Sequence, residues 1–385
     1  MSAGFVSLSI HGYRRLKATN LLLRPLNVLI GANGVGKTSV LDAFQLLGAS
    51  AARRLAATVL EAGGLQSVLT ADGATRMLDL RVSFKNANGE IIGYELTLTE
   101  TGVLPVITVH AERLFETPAS DPTHPRILIE AEAGQPRYPQ QGMTPPPLTA
   151  YDHSETALAQ SPPFGDAPAF RHLLAGISAI YHGLDVSKRA RIKSPQLLHP
   201  AQTPGSNGED LLSCLWTIRE TARDRFEDIE HSLRVAFPDF ERLEFPPVAA
   251  GMFSLGWRDK KFSRPLYASE LSEGTLRFLW LATLLQSPDL PAVTLIDEPE
   301  VSLHPELLRI LTELMREASE RTQLVVATHS DRFVRFLRPE EIIVCDLNDS
   351  GGMTVQWADE LNLKSWLEDY TLDQLWSQGV LGGRS

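Results

Sequence analysis

The octet GANGVGKT at positions 31–38 restricts this chain more than any other stretch of it. It fits G-x-x-x-x-G-K-[ST] with Gly31, Gly36, Lys37 and Thr38. The apolar run LNVLI enters it, and SVLDAFQLLGA, patterned as a helix, leaves it. That context builds a phosphate cradle. The glycines let successive backbone N–H groups turn inward, and the helix aims its positive end at the same anion. Lys37 adds a point charge to the outer phosphates, and Thr38 offers a hydroxyl to Mg2+. The spacing therefore predicts an α/β domain that holds a nucleotide at this loop.

A second stretch, 271–330, carries three further pieces of phosphate chemistry. LSEGT at 271–275 places a serine at the expected N-cap of an apolar helix, where backbone N–H groups and the helix dipole face an anion and Gly274 permits close approach. AVTLIDEP at 292–299 reads as a buried strand ending in two carboxylates. Asp297 would hold the magnesium shell, directly or through water, and Glu298 would act as general base on the attacking water. LVVATHS at 324–330 is another buried strand, ending in Thr328, His329 and Ser330. Taken singly, a Ser-x-Gly turn, a pair of loop carboxylates and a histidine after a strand are each commonplace. Their order and spacing at 272, 297 and 329, behind a phosphate loop, are not.

The remaining bounds are broad. With 385 residues and 43% of them hydrophobic, the chain can bury a core for one large or two modest domains. A formal net charge of −11 argues against a surface that binds nucleic acid all over, while leaving room for a local basic patch. Cys214 and Cys345 are far apart and match no ligand spacing, so a disulfide framework or zinc site is not expected. The N-terminus lacks the order of a signal peptide and no apolar run reaches the ~18–20 residues of a membrane span, so a soluble cytoplasmic protein is expected.

Along the chain, FVSLSIHGY and NLLL read as strands, and AARRLAATVLEA as a helix closed by Gly63 and Gly64. RMLDLRVSFKN, the turn ANGE and IIGYELTLTE predict an antiparallel hairpin, with VLPVITVHAERLFE as a further strand. The proline-rich texture of 116–168 predicts a long surface loop or partly disordered insertion that supplies little core. Helical patterning returns at 168–184, and 208–237 reads as one long amphipathic stretch, too short for an extended coiled coil. FERLEF and MFSLGWRD predict strands. After Ser330 the reading gives a helix (DRFVRFLRP), strands EIIVCDL and MTVQWA, and final helical segments ELNLKSWLEDY and LDQLWSQG.

In the order and gaps of these motifs the chain resembles ATP-binding-cassette ATPases. GANGVGKT with Asn33, LSEGT in place of LSGGQ, DEPEVSLHP and ATHS resemble the RecF/SMC/Rad50 branch and its stand-alone AAA_21 or OLD-like relatives. The resemblance is carried by both ends of the chain rather than by 110–260. It implies an ABC-ATPase head: a P-loop mixed sheet, an N-terminal antiparallel β-subdomain and a helical subdomain bearing the signature. On that plan, 1–115 is the N-terminal half of the head, 116–168 the insertion, 169–260 the helical subdomain and 261–385 the C-terminal half. It also implies that ATP, with Mg2+, is held by Asn33, Gly34, Gly36, Lys37, Thr38 and Ser39, and that two copies pair head to tail. Ser272 and Gly274 would then cap the partner's nucleotide, and His329 would be the switch histidine at the γ-phosphate. Arg14 or Arg15 could reach the nucleotide or be plain surface charge. His304 stands where the D-loop talks across the dimer, or is simply a polar residue ahead of Pro305. Gln66 is a glutamine-loop candidate by distance alone.

The resemblance implies an ATP-driven switch in DNA repair or in defence against invading DNA, working on DNA or on a separately encoded effector, with no membrane. Other readings are a transporter's nucleotide-binding subunit, a nuclease of the overcoming-lysogenization type, or an ATP-gated scaffold. The long gap from Lys37 to Ser272 argues against the first. The short tail after Ser330 leaves no room for a cleavage domain, and an intact Glu298 argues against an inert scaffold.

Overall fold

Apolar and polar residues alternate along Gly4–Tyr13 and Met77–Lys85, giving each strand one dry side. In the computed structural model, which describes residues 3–101, 106–121, 123–132, 135–139, 151–162, 166–361, 370–379 and 381, these strands are the second and third of a seven-stranded antiparallel sheet. Its order is Leu16–Leu22, Gly4–Tyr13, Met77–Lys85, Ile91–Thr101, Val106–Thr117, Arg126–Glu132 and Gln135–Arg137. Register places Leu8, Val82, Tyr94, Leu114 and Ile129 in one cross-strand row, all at most 2% exposed. The contacts divide the chain into two compact units. One comprises Met1–Ser178, Glu341–Leu361 and Leu381–Ser385; the other comprises Ala179–Glu340 and Asn362–Val380.

The first unit holds that sheet and the strand Leu26–Ile30, buried at every position. Leu26–Ile30 runs parallel to Ile342–Leu347, which pairs antiparallel with Met353–Trp357. The helix Lys37–Ala51 leaves the phosphate loop and packs on Ala167–Ala175. AARRLAATVLEA forms the shorter helix Leu55–Glu61.

One expectation fails here. The proline-rich segment does supply core: Tyr138, Tyr151, Ala157 and Leu158 are buried, and Arg126–Glu132 and Gln135–Arg137 extend the sheet. The reason lies in a neighbouring row, Ile10, Leu80, Leu96 and Glu112, where an acid occupies an apolar position. The Glu112 carboxylate accepts the backbone N–H groups of Ala157 and Leu158 and the hydroxyl of Tyr94. Glu155 likewise accepts the N–H groups of Leu55 and Ala56. Buried acids thus anchor a segment whose own spelling has no periodicity. Positions 140–150 and 163–165 lie outside the described residues.

Burial pushes Glu112 from 4.5 up to about 7. The folded state therefore binds a proton more readily than the unfolded chain does, and Glu112 favours folding below 4.5. That contribution is lost as pH rises towards 7, a swing on the order of 3 kcal/mol. Melting temperatures of wild type and Glu112→Gln between pH 4.5 and 8 check this: the wild type should lose more stability over that interval. Parallel curves would show that the group does not titrate there.

The second unit holds the parallel strands Ile180–Tyr181, Val293–Asp297 and Gln323–Ala327, with Val293–Asp297 between the other two. The helices Glu273–Gln286 and Pro305–Ala318 pack on one another. The long amphipathic stretch is not one helix. It breaks at Ala222, non-helical at φ −142° and ψ 64°, into Leu211–Thr221 and Arg223–Ala236. The break lets both halves pack against Glu273–Gln286, and Arg225 reaches Gln286 and Glu317. FERLEF and MFSLGWRD supply Phe240–Glu244, Met252–Phe253 and Gly256–Asp259. DRFVRFLRP yields only the single turn Asp331–Val334, and LDQLWSQG gives Leu372–Ser377. Most of ELNLKSWLEDY, at 362–369, lies outside the described residues. No described helix is long and apolar enough to cross a membrane.

Candidate functional site

Each unit carries its own set of candidate residues. In the first, the chain leaves Leu26–Ile30 and turns through Gly34 at φ 77° and Gly36 at φ 118°, left-handed values that side chains resist. Gly36 is the N-cap of Lys37–Ala51, so the first N–H groups of that helix point back into the loop. The Lys37 ammonium, buried, donates to the carbonyls of Gly31 at 2.7 Å and Ala32 at 2.9 Å. Asn33, Gly34 and Thr38 are exposed, and Ser39 is buried. A Cβ at Gly34 would meet nothing. Inward-turned amides, an ammonium at the loop mouth and an exposed hydroxyl on the helix's first turn fit a polyphosphate.

Of the three other candidates in this unit, Arg14 and Gln66 have their side chains tied to acids. Arg14, itself left-handed at φ 46°, places its guanidinium on Asp42 at 2.6 Å, an ion pair on the helix that follows the loop. Arg15 is exposed, and its carbonyl accepts the N–H of Met353. Gln66 donates to Glu100 at 2.8 Å.

In the second unit, Asp297 is the last residue of its strand, and its carboxylate is almost wholly buried. Its Oδ2 lies 3.1 Å from Nδ1 of His182. Glu298 follows at φ 49°, a left-handed conformation that costs a non-glycine residue about 1–3 kcal/mol. Two hydrogen bonds hold it there. Its N–H donates to the carbonyl of Ala327 at 2.8 Å, and its carbonyl accepts from Arg277 at 2.7 Å. Oε1 of Glu298 is 3.0 Å from Nδ1 of His329. An ionised carboxylate only accepts, so His329 carries its proton on Nδ1.

The turn around LSEGT is built as its sequence predicts. Ser272 is the N-cap of Glu273–Gln286, and its Oγ accepts the N–H of Thr275 at 3.2 Å. Gly274 has a second reason to be glycine: a Cβ there would lie 2.6 Å from the carbonyl oxygen of Ser302. Ser302, at φ 61°, in turn donates to Glu273. His304 caps Pro305–Ala318, accepting from the N–H of Glu306 at 3.5 Å, and its ring is largely exposed.

Sequence reasoning passed over three residues that link these parts, Arg277, Glu300 and His182. Arg277, in the second turn of the helix that Ser272 starts, donates to the carbonyls of both His182 and Glu298. It is 4% exposed, and burial lowers its pKa. Glu300, whose pKa burial raises, accepts from Thr328 at 2.6 Å and ties the strand end before His329 to the loop after Glu298. An arginine inside the apolar run LRFLWLATLL was the available signal for the first. A two-residue strand offered none for His182.

Residues 26–140 and 172–335 match the AAA_21 family model, described as "AAA domain, putative AbiEii toxin, Type IV TA system". Among solved structures, the chain is similar to the SMC head bound to the C-winged helix domain of ScpA, at TM-score 0.55 and 14% identity, covering 92% of this chain and 97% of that one. It is also similar to the Smc head domain with an extended coiled coil bound to the C-terminal domain of ScpA from Pyrococcus furiosus. There the TM-score is 0.56 and identity 12%, over 95% of this chain and 99% of that one. At such identities the likeness is one of fold. No curated protein matches the sequence.

Proposed function

The chain belongs to the AAA_21 family and has the fold of an SMC-type ABC-ATPase head, and on that premise we propose that it hydrolyses Mg-ATP at two composite sites of a head-to-tail homodimer. In this reading the loop from Asn33 to Ser39 holds the triphosphate, with Lys37 on the outer phosphates. Thr38 and Asp297 are magnesium ligands, a hydroxyl and a single carboxylate. Such a sparse oxygen set suits an ion that keeps waters and takes phosphate oxygens from its substrate. When bound, Mg2+ supplies charge neutralisation to the phosphates.

The observation that carries the proposal is the strained, doubly held backbone of Glu298 with His329 on its carboxylate. Strain maintained by two hydrogen bonds fits a residue whose position matters to chemistry. Glu298 takes a proton from the attacking water as oxygen bonds to the γ-phosphorus and the bond to the bridging oxygen breaks. His329 steadies the carboxylate through Nδ1. Ser272 and Gly274 cap the γ-phosphate of the partner copy, so that ATP joins the two copies and its loss releases them. The work done by this switch is repair of DNA or defence against invading DNA, on DNA itself or through a separately encoded effector. The structures it resembles are SMC heads carrying ScpA, a separate protein.

Light scattering on Glu298→Gln tests the reading. The variant should bind ATP without hydrolysing it, and its molar mass should double on adding Mg-ATP. A protein that stays monomeric with ATP bound would contradict the shared site. Added duplex DNA that co-elutes only with the ATP-bound form would point to DNA as the target, and indifference to DNA would point to a protein effector.

A further inference from the structure

Ile180 pairs with Leu295 and Tyr181 with Ile296 in parallel register, so the next residue, His182, comes alongside Asp297. Its Nδ1 lies 3.1 Å from Oδ2 of that carboxylate. Since the ionised carboxylate can only accept, Nδ1 carries the proton and donates. The backbone of His182 is fixed as well, its carbonyl taken by the buried Arg277 at 3.1 Å. The imidazole is otherwise mostly exposed: 68% of its side chain is accessible, against 5% for Asp297. An exposed ring pinned at both its backbone and one nitrogen, aimed at a buried acid, contributes little to packing. Its side chain's specific contact is with that acid.

We propose that His182 is a positioning residue for magnesium, orienting the Asp297 carboxylate through Nδ1–H and thereby setting how tightly the nucleotide site takes the ion. The proposal rests on the reading of Asp297 as a magnesium ligand. Groups that hydrogen-bond a metal-binding carboxylate fix its orientation, and their removal typically weakens metal binding about 10–100-fold. Affinity for the nucleotide itself, supplied by the phosphate loop, should not depend on His182.

The test is an equilibrium titration of the full chain with a fluorescent, non-hydrolysable ATP analogue at rising Mg2+, independent of turnover. His182→Ala should need about 10–100 times more Mg2+ for half-maximal tight binding, with unchanged affinity in EDTA. His182→Asn, whose amide nitrogen occupies the place of Nδ1, should restore most of the Mg2+ response. An alanine variant with the wild-type Mg2+ requirement overturns the proposal, and so does an asparagine variant as impaired as alanine. Asp297→Asn separates the two levels: if it leaves the Mg2+ requirement unchanged, the assignment of Asp297 is what fails.

Discussion

Lys37→Ala should remove nucleotide binding at any concentration a cell maintains. The ammonium is a charge-assisted donor, and each such bond to a phosphate contributes about 1.5–3 kcal/mol. Losing one or two of them lowers affinity roughly 10–10⁴-fold, at tenfold per 1.4 kcal/mol. The loss is not a folding defect in disguise. Lys37 sits at the start of a helix whose other buried positions, among them Val40, Leu41, Phe44 and Leu47, are untouched. The carbonyls of Gly31 and Ala32 that it now engages belong to a loop with exposed members at Asn33 and Gly34, where water can take its place. Calorimetric titration with Mg-ATP, beside a melting curve for each protein, checks both halves of the statement. An affinity within a few-fold of wild type would count against the phosphate-loop reading.

What the sequence discloses follows from how local each feature is. The loop at 31–38 is written in glycines whose backbone angles only glycine adopts easily, and the Ser272 cap depends on residues three apart. Such features need no knowledge of the rest of the chain. His182 and Arg277 acquire meaning only through tertiary placement. The strand that delivers His182 has two residues, too few to show any period, and Arg277 looks like a misfit in an apolar helix until its two carbonyl partners are known. The proline-rich segment hides its core contribution for the same reason. Its hold on the fold comes from Glu112 and Glu155, acids that accept backbone N–H groups, and neither adds to a hydrophobic pattern. The middle of the chain is thus ordered by buried polar bonds, which composition cannot announce.

Within the second unit those bonds also bring the LSEGT turn into mechanical contact with the acids. Gly274 lies against the carbonyl of Ser302, and Arg277, five residues beyond Ser272, holds the carbonyl of Glu298. A displacement of the helix Glu273–Gln286 therefore bears directly on the strained backbone of the proposed general base. This wiring constrains how substitutions there must be designed. Alanine at Gly274 would collide with Ser302 and disturb Glu298 through the fold, whereas the exposed hydroxyl of Ser272 can be replaced without touching either.

Ser272→Arg should accordingly keep ATP affinity near wild type and lose turnover, because a large side chain at the helix N-cap blocks the partner's γ-phosphate. Losing the cap costs the helix about 1 kcal/mol, too little to unfold a helix whose residues from Leu276 to Gln286 are buried. Glu298→Gln should be equally inactive for a different reason, the missing base. Mixing the two dead proteins provides the strongest test of a shared site. In a mixed dimer one site joins an intact Glu298 to an intact Ser272, while the other joins both defects. Random pairing makes half the dimers mixed, so about a quarter of wild-type turnover should reappear if the sites act independently. Excess Ser272→Arg protein should raise turnover per Glu298→Gln molecule until every one is paired. Turnover that stays absent at every mixing ratio, while mixed dimers form, would mean that each chain's serine-glycine turn serves its own nucleotide or none.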